Sequence, residues 1–482
     1  MNKISSLAFC AVASLVVTTN VYGYEVVNHA DMSDAAFRLW FRQEPPIATP
    51  NGLTGKLFRL GLKQVSVLNL LTETVYPKSG PSTESCAFPL ASYTMLNLIR
   101  YGSCYEDNAE VGAYRPLAHF YDPQHNGRGL TFGTEVGPSS PDWALKSETS
   151  GAGTGTNHLS YASARQAFST ALTRREASFT VEQNNQLRRE DWGTTFQALG
   201  HIIHHLQDMA QPQHVRNDQH CDGTTANCGP INNTSGYEKF WQGRADVIQA
   251  LAATATVPVI FGLPREFWSL QGNNVTGHFP ANQGLAAYTS TNFLSAGTDF
   301  TVLRVDAART PMPSYDFAYP RPAPAPNDVS LSELFAGAPA ATVETIRTAV
   351  CGGDFAACKM RFYGSEVDPA ARKSAISVFS QEYLGGGATS TRGRAGYFTQ
   401  NYWTHADSAA NLIPKAVEYS AGLINYFFRG EMEISSPEEG VYGIVDHAVT
   451  NIKGDGYKLL KMRVKNVTAD ITTAVTPTRP TG

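Results

Sequence analysis

From Asp191 to Met209 apolar residues recur at three- and four-residue intervals (Trp192, Phe196, Leu199, Ile202, Ile203, Leu206), which is the spacing of a helix. The same spacing predicts helices over Ser33–Arg42, Ala91–Arg100 and Ser160–Glu176, so residues 24 to about 250 read as mainly helical. Asn411–Arg429 reads as an amphipathic helix, with Pro414 near its first turn and Gly430 as its stop. Between these lies a long insertion, residues 250 to 400. It holds the Pro-rich Met312–Asp328 and the Gly-rich Leu384–Tyr397, both loop-like, and two candidate helices, Leu331–Val350 and Pro369–Tyr383. From Glu431 the pattern becomes alternating. Gly440–Val449 and Tyr457–Ile471 flank a Gly454-Asp455-Gly456 turn and predict a hairpin. Two strands cannot bury a face alone, so they either pack on the helical body or belong to a β-domain.

The amino terminus changes the picture. Residues 1–23 carry Lys3, an apolar middle and the small residues Val21 and Gly23 before a cut, the layout of a secretory signal peptide that is too short for a membrane span. Cleavage there makes Tyr24 the first residue and leaves roughly 460 residues, more than one ordinary domain. The chain thus divides into a signal peptide (1–23), a helical domain with its insertion (24–430) and a β-strand segment (431–482) of a secreted protein, periplasmic or extracellular. Of seven cysteines Cys10 leaves with the signal, and an even remainder in an exported chain reads as disulfides. Locality favours Cys86–Cys104, Cys221–Cys228 and Cys351–Cys358. The net charge of −4 argues against a stable nucleic-acid partner. No Gly-x-Ser-x-Gly elbow or phosphate-cradling glycine loop is present.

The chemistry concentrates in Leu199–His214, LGHIIHHLQDMAQPQH. His204 and Asp208 stand four apart and so project from one helix face. Pro212 is expected to stop the helix and to leave His214 on the turn beyond. Imidazole, carboxylate and imidazole are then close enough to ligate metal ions, with Asp208 placed to bridge two of them. Three other stretches carry suitable residues. Tyr24 would expose a free α-amine five residues before His29, and such an amine loses its proton readily to a metal ion. LAHFYDPQHNGRGL carries His119 downstream of Glu106-Asp107. SGYEKFW carries Glu238.

These segments resemble the zinc-dependent phospholipase C / P1 nuclease family, whose central helix has the same His, Asp, Pro and His spacing. His-Phe-Tyr-Asp-Pro at 119–123 is the best match to its phospholipase branch. The resemblance implies a helical zinc-dependent phospholipase C/P1 nuclease-like body with a small C-terminal β segment, and three Zn2+ ions. It implies ligation by Tyr24 (through α-amine and carbonyl), His29, His119, His204, Asp208, His214 and Glu238. An acidic ligand before His119 is expected as well, with Asp107 preferred and Glu106 open. The family's His four residues before Glu238 is absent; Thr234 stands there, and Thr is a poor zinc ligand. His220 is the nearest substitute, and His405 is a distant one.

The implied activity is zinc-dependent phosphodiester hydrolysis, with Asp107 and Asp208 as the catalytic carboxylates. The leading expectation is a secreted phospholipase C that acts on phosphatidylcholine-like lipid at a membrane or micelle surface, releasing diacylglycerol and a phosphorylated head group. The short Tyr24–His29 spacing favours a single-strand nuclease, since phospholipases tend to place that His further in. The missing His is the argument for a non-catalytic, lipid- or surface-binding relative.

Overall fold

The structure is a computed structural model. It describes residues 24–43, 94–107, 115–146, 157–220, 236–300, 317–376, 398–437 and parts of 443–466, apart from a few positions inside these ranges. The expected signal peptide, Cys86, Cys221, Cys228 and Thr234 lie outside the described residues.

The predicted central helix begins ten residues earlier than the apolar pattern indicates. It spans Val181–Gln207 (α4, after α1 Tyr24–Gln43, α2 Met95–Tyr105 and α3 Tyr161–Thr173). Thr180 explains the early start: its hydroxyl accepts from Gln183 N while Gln183 Oε1 accepts from Thr180 N, a reciprocal cap. The exposed first third of α4 carries no apolar stripe, so periodicity could not reveal it. From Asp191 onward nearly every residue is buried, as expected for a helix surrounded by others. Phe196, Leu199, Ile202, Ile203 and Leu206 share one core with Phe37 and Trp40 of α1, Leu98 and Ile99 of α2, and Leu412, Val417 and Ile424 of a C-terminal helix. Each such side chain contributes about 1.5–3 kcal/mol by leaving water.

That last helix spans Tyr402–Phe428 (α9; α5 to α8 are Pro212–Val215, Gly236–Trp241, Ala245–Ala252 and Leu285–Asn292). Asn401 starts it, accepting from Trp403 N and Thr404 N while Thr404 Oγ1 accepts from Asn401 N. Pro414 is therefore inside the helix and not near its first turn, a correction to the sequence expectation. No helix among the described residues is long and apolar enough to cross a membrane.

The insertion departs most from expectation. Pro369–Ile376 is turn and strand rather than helix, and Leu331–Val350 is two short helices, Leu331–Leu334 and Ala340–Ala349, split by a turn at Phe335–Gly337. The segment builds a four-stranded antiparallel sheet in the order β1 Asn327–Ser330, β2 Lys359–Tyr363, β3 Ser374–Ile376, β4 Phe398–Thr399. Cys351–Cys358 is a disulfide beside it, as expected, and Cys104 is disulfide-bonded to a partner outside the described residues. In the C-terminal segment Gly443–Ile444 pairs with Leu459–Leu460, the expected hairpin, and Met432–Ser435 pairs with Arg463–Asn466 outside it.

One set of buried contacts knits the insertion together and a second ties it to the body. Asp299 accepts from Ser374 Oγ (2.9 Å) and Gln400 Nε2 (2.7 Å). Arg216, just past α5, donates to Thr298 Oγ1, Ser290 O and Tyr319 O, with the Phe317 ring 4.0 Å from its guanidinium.

Candidate metal centre

Two glycines bring the main chains of α2 and α4 into contact. A Cβ on Gly102 would lie 2.0 Å from Gln197 O, and one on Gly200 would lie 2.2 Å from Ile99 O, so no larger residue fits either position. The approach sets Ser103 O 2.6 Å from His204 Nδ1. It also delivers Glu106 and Asp107, just past the end of α2, to different histidines of α4, Glu106 to His201 and His205 and Asp107 to His204.

The end of α4 follows from local chemistry. A residue before proline avoids the helical region, and Gln211 is extended (φ −101°, ψ 115°). Pro212 then opens a new helical turn, α5, where its missing N–H costs nothing. His214 lies within that turn. Pro212 thus starts a helix here instead of only ending one.

Asp208, 1% exposed, sits at the centre of the side chains so placed. Its Oδ2 lies 2.9 Å from His119 Nδ1 and 3.5 Å from His204 Nε2; its Oδ1 lies 3.4 Å from His29 Nε2 and 3.3 Å from His214 Nδ1. Asp107 Oδ1 adds contacts of 3.3 Å to His119 Nδ1 and 3.4 Å to His204 Nε2, and those two nitrogens are 3.3 Å apart. The atoms Asp107 Oδ1, His119 Nδ1, His204 Nε2 and Asp208 Oδ2 thus form two triangles that share the His119–His204 edge, with sides of 2.9–3.5 Å. Ligands about 2.0–2.1 Å from a tetrahedral ion stand about 3.3–3.4 Å from one another. Most of these edges are long for hydrogen bonds, whose usual N···O distance is about 2.9–3.0 Å. Asp107 Oδ2, Asp208 Oδ2 and His214 Nδ1 are buried without a hydrogen bond, which a cation would remedy.

A second group adjoins it. His220 Nε2 is 2.8 Å from Glu238 Oε1 and 3.3 Å from His214 Nε2, and His214 Nε2 is 3.6 Å from the same carboxylate oxygen. Both groups, together with His29–Asp107–His204, could hold a metal ion. The ring nitrogens turned outward are held as ligating imidazoles require. Nδ1 of His204 donates to Ser103 O, that of His220 to Asp218 O, and that of His29 to Gln207 Oε1.

The carboxylates and imidazoles of the cluster compensate one another's charge. Asp107, Asp208 and Glu238 meet among five imidazoles, all buried or nearly so. Burial alone would lower the pKa of His204 and His214, yet Asp107 and Asp208 raise His204 to about 9, and Asp208 with Glu238 raises His214 to about 10. Burial would also push the Asp208 carboxyl up, but His204, His214 and His119 hold it well below its ordinary value.

Most of the expected ligands are therefore brought together: His29, Asp107, His119, His204, Asp208, His214, His220 and Glu238. Tyr24 is the first residue of α1; the expectation for it concerns an α-amine freed by a cut next to residues that are not described. His220, and not His405, stands beside Glu238. His405 packs among Tyr237 and Phe240 against Gly236, and burial lowers its pKa to about 4. Glu106, the open alternative to Asp107, makes a candidate metal group of its own with His119 and His205. It accepts from Arg115, from His201 Nδ1, from His205 Nε2 (2.8 Å) and from Trp143 Nε1 (3.2 Å). Arg115 also donates to Asn157 Oδ1. This hub was missed in the sequence. Its one signal was His201 and His205, four apart on a face of α4 distinct from that of His204 and Asp208.

No protein-family model matches the chain, and neither a curated protein nor a solved structure matches it.

Proposed function

We propose that the chain is an exported zinc-dependent phosphodiester hydrolase, and specifically a phospholipase C. The observation that carries the reading is the close meeting of Asp107 and Asp208 with His119 and His204, with the His214–His220–Glu238 group beside it. Imidazole with carboxylate is a zinc-type donor set, and thiolates play no part in it. Zinc held there supplies Lewis acidity, which polarises a phosphoryl oxygen and acidifies water toward neutral pH.

The chain's own residues do the rest. Asp208 contacts four imidazoles and couples the groups, so it fixes their spacing. Asp107, 20% exposed beside side chains that are nearly all inaccessible, is the carboxylate nearest solvent and would take up a proton from water. The walls of α4 and α5 exclude bulk water from the buried side, which strengthens each charge–charge contact. The lipid substrate rests on the resemblance of His119–Pro123 to the phospholipase branch. The short Tyr24–His29 spacing is what favours a nuclease acting on single strands.

One preparation tests both readings. Purified exported protein should contain zinc by mass spectrometry, lose activity to a strong chelator and regain it with zinc. It should release phosphocholine from phosphatidylcholine micelles and leave single-stranded DNA intact. DNA cleavage with lipid untouched would replace the phospholipase reading by the nuclease one, and a metal-free, inert protein would remove both.

A further inference from the structure

Gln207 lies immediately before Asp208 and is completely buried. Its amide closes a ring of hydrogen bonds with two serines and His29. Gln207 Nε2 donates to Ser33 Oγ (3.0 Å), Ser33 Oγ donates to Ser103 Oγ (2.8 Å), and Ser103 Oγ donates to the main-chain oxygen of His29 (3.2 Å). The ring returns through His29 Nδ1, 2.8 Å from Gln207 Oε1. Ser33 and Ser103 are fully buried and His29 is 2% exposed, so water cannot substitute for a missing partner.

The direction of the ring matters. Each serine has one proton, and both are spent, Ser33's on Ser103 and Ser103's on the His29 carbonyl. Ser33 Oγ is then an acceptor toward Gln207, so the amide nitrogen must face it. The amide oxygen consequently faces His29 Nδ1, which must carry the ring proton. That leaves the Nε2 lone pair of His29 directed at the Asp208 side, 3.4 Å from Oδ1. With the opposite tautomer His29 could not ligate.

We propose that Gln207, held by Ser33 and Ser103, is a positioning residue that sets the His29 tautomer and so tunes the affinity of one metal ion without touching it. The metal half of this rests on the proposed function; the tautomer half does not. Ser103 serves both histidines, since its carbonyl takes the His204 Nδ1 proton while its hydroxyl belongs to the Gln207 ring. Partners that fix a ligating imidazole from outside typically change metal affinity about 10–100-fold when removed.

The test uses full-length mature protein with 15N-labelled histidine, the His29 signal being assigned by its loss in His29→Gln. In metal-free wild type at neutral pH, long-range 15N–1H correlation should show His29 protonated at Nδ1. Gln207→Leu should lose that preference and bind one zinc about 10–100-fold more weakly in competition with a chromophoric chelator, the other zinc ions being unchanged. Gln207→Glu keeps an acceptor for His29, while its second oxygen can take the Ser33 proton; it should restore both tautomer and affinity. Rescue by this variant separates positioning from a general loss of packing. Wild-type His29 protonated at Nε2, or a Gln207→Leu protein with tautomer and zinc affinity both unchanged, would overturn the proposal. If wild type takes up no zinc the metal reading falls. The tautomer comparison then still decides whether Gln207 sets the ring.

Discussion

Glu106→Gln is the sharpest test of the buried hub beside the metal centre. Glu106 Oε2 accepts from Arg115 and His201, and Oε1 from His205 and Trp143. Glutamine must place an NH2 at one of these two positions. At the Oε1 position it meets the Trp143 N–H, which cannot become an acceptor; at the Oε2 position it meets the guanidinium, which cannot either. A histidine could invert its tautomer, but each position also holds a fixed donor. Arg115 loses its countercharge at 4% exposure, and breaking a buried ion pair from one side costs about 3–5 kcal/mol. Adding Arg115→Met removes the stranded cation. The amide nitrogen can then face His201, the one remaining partner on that side and able to invert, while His205 and Trp143 keep an oxygen. The double variant should therefore be more stable than the single one, by about 1–3 kcal/mol. Urea unfolding of metal-free protein, read by tryptophan fluorescence, measures both. A single variant within about 1 kcal/mol of wild type, or a double variant less stable than Glu106→Gln, would refute the reasoning.

Other outcomes follow from the same geometry. Asp208→Asn should lose more than one zinc per chain, because one carboxylate contacts four imidazoles; mass spectrometry showing full occupancy would exclude the central role. His220→Ala should lose about one zinc per chain and His405→Ala none, since of these two only His220 reaches Glu238; the reverse ranking would reinstate His405. Burial raises the Asp299 carboxyl to about 6, against roughly 3.9 in an unfolded chain, so the folded state holds a proton that the unfolded chain has released between these pH values. Its contribution is full below about pH 4 and is lost as pH rises to about 6. Asp299→Asn should remove about 2–3 kcal/mol of that decline, and equal pH-dependence of unfolding in variant and wild type would contradict it.

The candidate ligands were legible because their spacing is local. His204, Asp208 and His214 declare themselves through helix periodicity and one proline, and Glu238 and His119 sit in short recognisable runs. What brings these runs together was not legible. The Gly102–Gly200 contact joins residues about a hundred positions apart, and nothing in either segment announces the other. Glu106 and Asp107 are neighbours with different partners, and only the course of α2, five residues beyond its expected end, decides which one reaches His204. The sheet in the insertion escaped for a different reason. Its strands are two to five residues long and only partly buried, too short for alternation to stand out from loop. Pro212 misled because the same ring that disfavours a helix before it favours one after it.

The touching of α2 and α4 has a consequence for how the centre would look to a mutational scan. The group that orients His204 is the carbonyl of Ser103, and a carbonyl survives every side-chain replacement. Alanine at 103 would delete the hydroxyl and leave that acceptor in place. The positions that control it are Gly102 and Gly200, which touch no ligand and carry no functional group. A scan should therefore score two featureless glycines as if they were catalytic, while alanine at 103 reports only the lost hydroxyl and not the oxygen that holds the imidazole.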